Sequence, residues 1–477
     1  MNVALQVRKE LQGKNGWQLY PLFFLAAICI YFLFLTALNK VFNKDEIEHI
    51  HSAWYIIQGF VPYRDFFQHH NPLFWYLIAP VLVLTGDNPG ILIFFRIIMF
   101  VLALCTATAA SGIAVKVTRR LEAGLYCFIL LLTSLVFIEK AIEIRPDVPM
   151  TLFCTLSGYF FIQYFDSKKS RDIILSGMLA AIAYLFLQKA IFFCAALSVF
   201  IIIMAIKKEV GIKTAVYFFL SLIAGPTLIF VYASLHGALY DYYLCGYLIN
   251  VSKLHSFAPW NILKYSLIKN TGFWILASAG FLYGIYNHNK NNRLSYIAAL
   301  CMVLFLSVFC IKSPWKQYYM PAMVFFSIIS AFILAHVLEK VRWGTILGFI
   351  IIVVIIIKPM MSLSEYKNKQ NRLQLKLIEY VITKTKADDF VYDGDNQFNL
   401  FRRDLHYFWY STARNYNLDG YNRLTNNKYG DYNICELINQ KRPRIVSDFQ
   451  VYPSECMAFK MYEKVDYLNV FIMRDIP

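Results

Sequence analysis

Acidic and imidazole side chains gather where an otherwise apolar chain has least reason to place them. From Asp45 to Tyr76 the sequence reads DEIEHIHSAWYIIQGFVPYRDFFQHHNPLFWY, and Asp45, Glu46, Glu48, His49, His51, Arg64, Asp65, His69 and His70 sit there among aromatics. Such groups are costly to bury beside a bilayer and are rarely placed there for packing alone. Asp45 and Glu46 follow directly on a long apolar run, so they read either as acids at a helix start or as a base at the headgroup plane. A second polar group, Glu143, Arg145 and Asp147, lies in EIRPDVPM. Pro146 can begin a helix that Asp147 stabilises. Alternatively Asp147 converges with Asp45, and paired carboxylates at an aqueous cleft suit general-base work or a divalent cation. Lys189 interrupts the apolar stretch Ile173–Ile206. It either snorkels to the surface or meets a lipid phosphate, and Arg96 offers the same alternatives.

His69 and His70, with Glu46, Glu48 and His49, have the composition of a zinc site, but no compact ligand motif such as HExxH is present. Asp45 and Asp147 are the carboxylates open to Mg or Mn, and nothing in the sequence requires a metal. KSPWKQYYMP adds a cationic, aromatic loop with Lys312, Trp315, Lys316, Gln317, Tyr318 and Tyr319. That composition suits an interfacial belt or the wall of a lipid or sugar cleft. The sequence contains no Walker A loop, no GxSxG elbow and no convincing dinucleotide motif.

The elements that must hold these residues are membrane helices. Of 477 residues, 58% are hydrophobic and 17% aromatic, only 16% are charged, and the mean hydropathy is +0.48. This is the composition of a polytopic helical membrane protein. The net charge of +16 reads as topology rather than as a nucleic-acid surface, because many Lys and Arg fall in short clusters between apolar runs; anionic lipid headgroups are the partner it implies. About eleven spans are expected: Leu19–Leu38, Ile91–Val115, Leu121–Ile138, Val148–Phe165, Ile173–Leu187, Ala190–Ile206, Thr214–His236, Thr271–Asn287, Leu294–Ile311, Tyr318–His336 and Thr345–Met361. Pro72–Gly86 is read as an interfacial helix, since the basic clusters KVTRR and DSKKSRD then fall inside and every unusual polar group outside.

Composition changes near residue 362, so a transmembrane domain, 1–361, and a small soluble α/β domain, 362–477, are expected. In the second, 363–386 has amphipathic periodicity and ADDFVYD, RPRIVSDF and YLNVFIM read as strands. Cys435 and Cys456 lie there and either pair in a disulfide or remain thiols; the other eight cysteines sit in or beside apolar runs as small core residues. The first span is too long for a signal segment and is expected to stay as an anchor.

Taken together, Asp45-Glu46, QGFVPYRDF, NPLFWY, Asp147 and Lys189, in that order, resemble the GT-C superfamily of membrane glycosyltransferases. The likeness is to the bacterial branch similar to protein O-mannosyltransferases (glycosyltransferase family 39) and to the lipid A aminoarabinose transferase, and it covers roughly residues 15 to 335. It implies an all-α GT-C-like fold with interfacial helices in the first outer loop. It also implies a multi-pass enzyme of the bacterial inner membrane, with its site on the periplasmic face. There a hexosyl- or pentosyl-type transferase, inverting at the anomeric carbon, moves sugar from a polyprenyl-phosphate carrier to an acceptor glycan, lipid or protein; no nucleic acid is involved. In that reading Asp45, Glu46 and Asp147 are catalytic. Lys189, Arg145, His69, His70 and Arg64 hold the donor phosphate, and Trp315, Lys316, Gln317 and Tyr318 line the cleft. The family often has lysine where this chain has Asn71, so a histidine or Arg64 takes its place. Two other readings are a flippase of a lipid-linked sugar and a membrane anchor for the C-terminal domain.

Overall fold

The structure, a computed structural model, describes residues 16–252, 259–287, 292–312, 314–367, 370–395, 397–430, 432–447 and 460–474. Uninterrupted apolar runs leave backbone polar groups no partner in lipid but one another, so they close into helices. Among the described residues eight helices are long and apolar enough to cross a membrane: Gly16–Asn39, Ile91–Thr118, Asp147–Ser167, Gln188–Ile206, Ile212–Leu235, Asn292–Phe309, Lys316–Leu338 and Gly344–Met361. The other three of the eleven expected spans are shorter helices, Leu121–Leu132, Ser170–Phe186 and Thr271–Tyr286. The single helix expected over Leu121–Ile138 is broken. Thr133 and Ser134 turn their hydroxyls onto the Ile129 and Leu131 carbonyls, and a new helix, Leu135–Lys140, starts with its Leu135 N–H held by the Asn270 side chain at 3.0 Å. Leu73–Thr85 has 13 residues. At 1.5 Å per residue it is roughly 20 Å long, short of the ~30 Å core, which agrees with an interfacial helix.

The chain divides into two compact units: Met1–Asn39, Arg96–Leu228 and Phe257–Asn368; and Lys40–Phe95, Ile229–Ser256 and Lys369–Pro477. In the first unit Lys316–Leu338 is the central helix, 89% buried, and Thr271–Tyr286, Leu121–Leu132 and Asn292–Phe309 pack on it. Gly280 makes that approach close, because a Cβ there would run into the Ile329 carbonyl.

The second unit joins segments that the sequence leaves far apart. Lys44–Ile57 begins with a capping box: the Asn43 side chain and the Glu46 carboxylate satisfy each other's backbone N–H groups. This helix packs against Leu73–Thr85, and the C-terminal segment binds both neighbourhoods. Arg402, buried, donates to Asp87 Oδ2 at 2.5 Å and to Thr385 Oγ1 at 2.7 Å, while the Phe67 N–H donates to the Tyr407 carbonyl and Trp409 Nε1 to the Phe67 carbonyl. The sheet has four strands, β1 (Val391–Tyr392), β2 (Ile445–Ser447), β3 (Tyr462–Val465) and β4 (Val470–Met473), in the order β1-β2-β4-β3. β1 and β2 are parallel, with Val391 opposite Ile445, and the other pairs are antiparallel. Tyr392, Leu405, Ile438, Val446 and Tyr462 form its core. Three of the strands are those expected; β3 was not, because YEKV carries two charges in four residues. Cys435 is disulfide-bonded; Cys456 lies outside the described residues.

Two expectations follow. Gly280→Val should lower stability by about 1–3 kcal/mol through overpacking, read as a lower melting temperature in detergent; an unchanged value would mean the helices do not meet there. Burial, with the nearby Arg414 cation, pushes the His406 imidazole down to about 4. The unfolded chain therefore binds a proton from about pH 6.5 downward that the folded chain refuses until about pH 4, and stability falls across that window on acidification. His406→Gln should flatten this part of the melting temperature against pH.

Candidate functional site

Asp147 is the first residue of Asp147–Ser167, with Pro146 before it at φ −65°. Proline preforms the helical entry and a carboxylate suits the positive end of the helix, yet Asp147 is fully buried and its charge needs partners. Arg145 Nε donates to Asp147 Oδ2 at 3.3 Å, and Lys189 Nζ lies 3.7 Å from Oδ1. On the other side, Arg145 approaches Glu143 at 4.0 Å, and Lys140 Nζ donates to both Glu143 oxygens at 3.0 and 2.9 Å. The result is a chain of alternating sign, Lys140, Glu143, Arg145, Asp147 and Lys189. Three basic and two acidic side chains take part in it.

Lys189 arrives from a hairpin tip. Ser170–Phe186 and Ile191–Ile206 are 17 and 16 residues long, joined through extended Leu187 and the turn Gln188–Ala190. Each is roughly 25 Å, so the tip stops short of a ~30 Å crossing, as the sequence predicts. Its Nζ sits 3.2 Å from the centroid of the Tyr318 ring, a cation–π contact in a desolvated place. Asp147, Lys189 and Tyr318, with Met150, Cys154 and Ser307, border a cavity of about 20 Å³, room for about one water.

Five of the residues singled out in the sequence, Glu143, Arg145, Asp147, Lys189 and Tyr318, thus come together in the first unit. Lys316 instead pairs with Glu139 at 2.7 Å and lies over the Tyr265 ring; Gln317 is buried and Trp315 exposed. Glu139 and Lys140 were not anticipated. Their only sequence signal is position, next to Glu143 at the end of an apolar run.

Asp45, Glu46, His69, His70 and Arg64 belong to the second unit. Asp45 is in the first turn of its helix and half-buried; the Glu46 carboxylate is engaged by the Asn43 N–H. Arg64 is bound in bidentate fashion to Asp65, Nε to Oδ1 and Nη2 to Oδ2 both at 2.8 Å, and this pairing holds the Asp65 carboxyl below its usual range despite partial burial. The His69 and His70 rings lie with centroids 4.0 Å apart, tilted by 45° to each other. His49 Nδ1 accepts from Trp75 Nε1 at 3.0 Å, which places its proton on Nε2. Buried Glu48 accepts from Gln68 and from Tyr410 OH. His51 Nδ1 meets the Leu400 carbonyl at 3.0 Å and its Nε2 meets Asp404 at 2.6 Å. A carbonyl only accepts, so Nδ1 is protonated, and Asp404 faces Nε2 together with the Tyr55 hydroxyl. Glu48, His51, Asp404 and Tyr410 are polar contacts across more than 340 residues of sequence, beyond the reach of any local pattern.

Among the described residues no group of three or more His, Cys, Asp or Glu is close enough to hold a metal. Asp147, one of the two carboxylates expected to be open to Mg or Mn, has Arg145 and Lys189 against its two oxygens. A divalent ion would have to displace a cation there, so this donor set does not fit one.

Residues 69–232 match a family model described as dolichyl-phosphate-mannose-protein mannosyltransferase. An uncharacterized protein of Aquifex aeolicus (strain VF5) is 25% identical over 285 residues, 57% of this chain and 54% of the relative, so the chain spans about half the length of the curated relative it matches. The fold is similar to that of ArnT from Cupriavidus metallidurans bound to undecaprenyl phosphate, with a TM-score of 0.61 and 9% identity over 82% of this chain and 85% of the other. It is also similar to the archaeal oligosaccharyltransferase AglB from Archaeoglobus fulgidus in complex with an inhibitory peptide and a dolichol-phosphate, with a TM-score of 0.56 and 10% identity over 91% and 69%. The resemblance to the GT-C glycosyltransferases is thereby borne out in the fold: a helical multi-pass membrane protein with a small sheet near its C-terminus.

Removing Asp404 leaves buried His51 Nε2 and the Tyr55 hydroxyl without their hydrogen-bond partner. Asp404→Ala should cost about 1–3 kcal/mol, seen as a lower melting temperature and earlier proteolysis within Lys369–Pro477. Wild-type stability in that variant would show that the pair does not hold the segment.

Proposed function

We propose that this chain is a GT-C-type glycosyltransferase that moves a sugar from a polyprenyl-phosphate-linked donor to an acceptor hydroxyl at the outer face of a bacterial inner membrane. The observation that carries the reading is the buried charge chain ending in Lys189, because it brings two basic groups, Arg145 and Lys189, together on Asp147, an arrangement that suits a phosphate ester entering from lipid. The match of residues 69–232 to a mannosyltransferase family model and the lipid phosphates bound by the two similar structures support it.

In this mechanism the acceptor oxygen attacks the anomeric carbon, and the bond from that carbon to the phosphate oxygen breaks with inversion. The electron pair leaves with the phosphate, and the acceptor proton passes to Asp45. Lys189 and Arg145 meet the charge that grows on the departing phosphate. Asp147 holds both cations in place and orients the acceptor. Trp315 and Tyr318 line the cleft, and membrane lipid surrounds it. The donor brings its own leaving group, so no nucleotide is needed. Arg64 contributes less than the sequence suggests, since Asp65 already takes its guanidinium.

The test is sugar transfer by purified protein from a panel of polyprenyl-phosphate sugars, with membrane extract as acceptor. Asp45→Asn should abolish transfer. Lys189→Met should lower kcat by about 10²–10³-fold, the usual effect of losing a group that stabilises transition-state charge, and Lys189→Arg should restore part of it. If no donor supports transfer while Asp45→Asn still stops movement of lipid-linked sugar across vesicles, the protein is a flippase instead.

A further inference from the structure

A second cavity of the first unit lies well away from the charge chain. It is a trough of about 650 Å³ along the second half of Ile91–Thr118, bordered by Leu121–Leu132 and Asp147–Ser167. Ala109, Gly112 and Gly124 contribute to its small-residue lining, and Leu104, Phe128 and Tyr159 to its larger one. Its shape follows from how close the helices come. A Cβ at Gly124 would lie 2.7 Å from the Val115 side chain, and one at Gly112 would lie 3.0 Å from the Tyr159 ring. Val101 is exposed, and so are Cys105 and Thr108, so the trough opens sideways.

Its Val115–Leu121 end meets charge. Lys116 lies 4.9 Å from the Tyr159 centroid and donates to Gln163. Arg119 and Arg293 share the single carboxylate of Asp166, and Arg120 pairs with Glu122. Arg171 pairs with Asp172, a carboxylate within electrostatic reach of Lys116; five cations against three carboxylates leave two positive charges at the mouth, and exposed Lys168 lies close by, over the Tyr164 and Phe165 rings. Asp166 is 19 residues after Asp147 in one helix, roughly 28 Å along its axis. This mouth is therefore at the opposite membrane face from Lys189, the face that the positive-inside pattern assigns to the cytoplasm.

We propose that the trough is a binding site for an anionic glycerophospholipid of that leaflet, with one acyl chain along Ala109 and Gly112 and the phosphate against Arg119 and Lys168. An apolar trough opening sideways into lipid takes a hydrocarbon chain, whose dispersion contacts fill it. The excess of cations then selects the headgroup, because basic recesses between helices on the cytoplasmic side hold anionic lipids.

Native mass spectrometry of the full chain, titrated with phosphatidylglycerol or with phosphatidylcholine of the same acyl chains, tests this. Wild type should retain phosphatidylglycerol about tenfold better, the scale of one or two lysine or arginine contacts. Arg119→Gln with Lys168→Gln should erase the preference while chain binding persists. Thr108→Trp, which fills the trough from its open side, should reduce retention of both lipids at an unchanged melting temperature. Phosphatidylglycerol should also slow maleimide labelling of Cys105. Equal retention of the two lipids by wild type, or undiminished retention by Thr108→Trp, overturns the proposal. So does a dimer mass that Thr108→Trp abolishes, which would make the trough a face between two copies. Displacement of phosphatidylglycerol by polyprenyl phosphate would assign it to the donor's chain and overturn it as well.

Discussion

A charge leaves water at tolerable cost only when its counter-charge and hydrogen bonds go with it, and both units are built around that constraint. In the first unit Asp147 satisfies it with Arg145 and Lys189. These residues come from a helix start, the loop before it and a hairpin tip, so one carboxylate fixes the mutual placement of all three. In the second unit His51 and Asp404 satisfy it across 353 residues of sequence, and that pair draws the C-terminal segment onto the opening helix. Removing one partner in either place costs more than the contact is worth, because the other remains buried.

The same constraint sorts the polar residues of the opening stretch. Glu46 closes a capping box, Arg64 is neutralised by its neighbour Asp65, and Glu48 is bound by Gln68 and Tyr410. A density of charged side chains beside a membrane therefore does not translate directly into a density of catalytic groups. Several of them secure a loop whose backbone, irregular from Gln58 to Asn71, has few ladder hydrogen bonds of its own. In the first unit, by contrast, the charge chain from Lys140 to Lys189 gathers three basic and two acidic side chains in surroundings of low dielectric, where electrostatic interactions are strongest.

Much of this was legible in the amino-acid order. Apolar run lengths determine the membrane helices, because a bilayer leaves the backbone no alternative. The same arithmetic places Lys189 at a recessed hairpin tip, and Pro146-Asp147 marks a helix start. Strand composition locates β1, β2 and β4, though not β3. Tertiary structure alone decided the rest. Thr133 and Ser134 break a run that hydropathy reads as continuous, since the cap that starts the next helix comes from Asn270, 135 residues on. The C-terminal segment looks like a separate domain by composition, but packs with Lys40–Phe95 and Ile229–Ser256 through side chains such as Asp404, Arg402 and Tyr410. Local patterns record the period of an element and the cost of its ends. They do not record which distant carboxylate will neutralise a given cation, and that choice is what assembles the site.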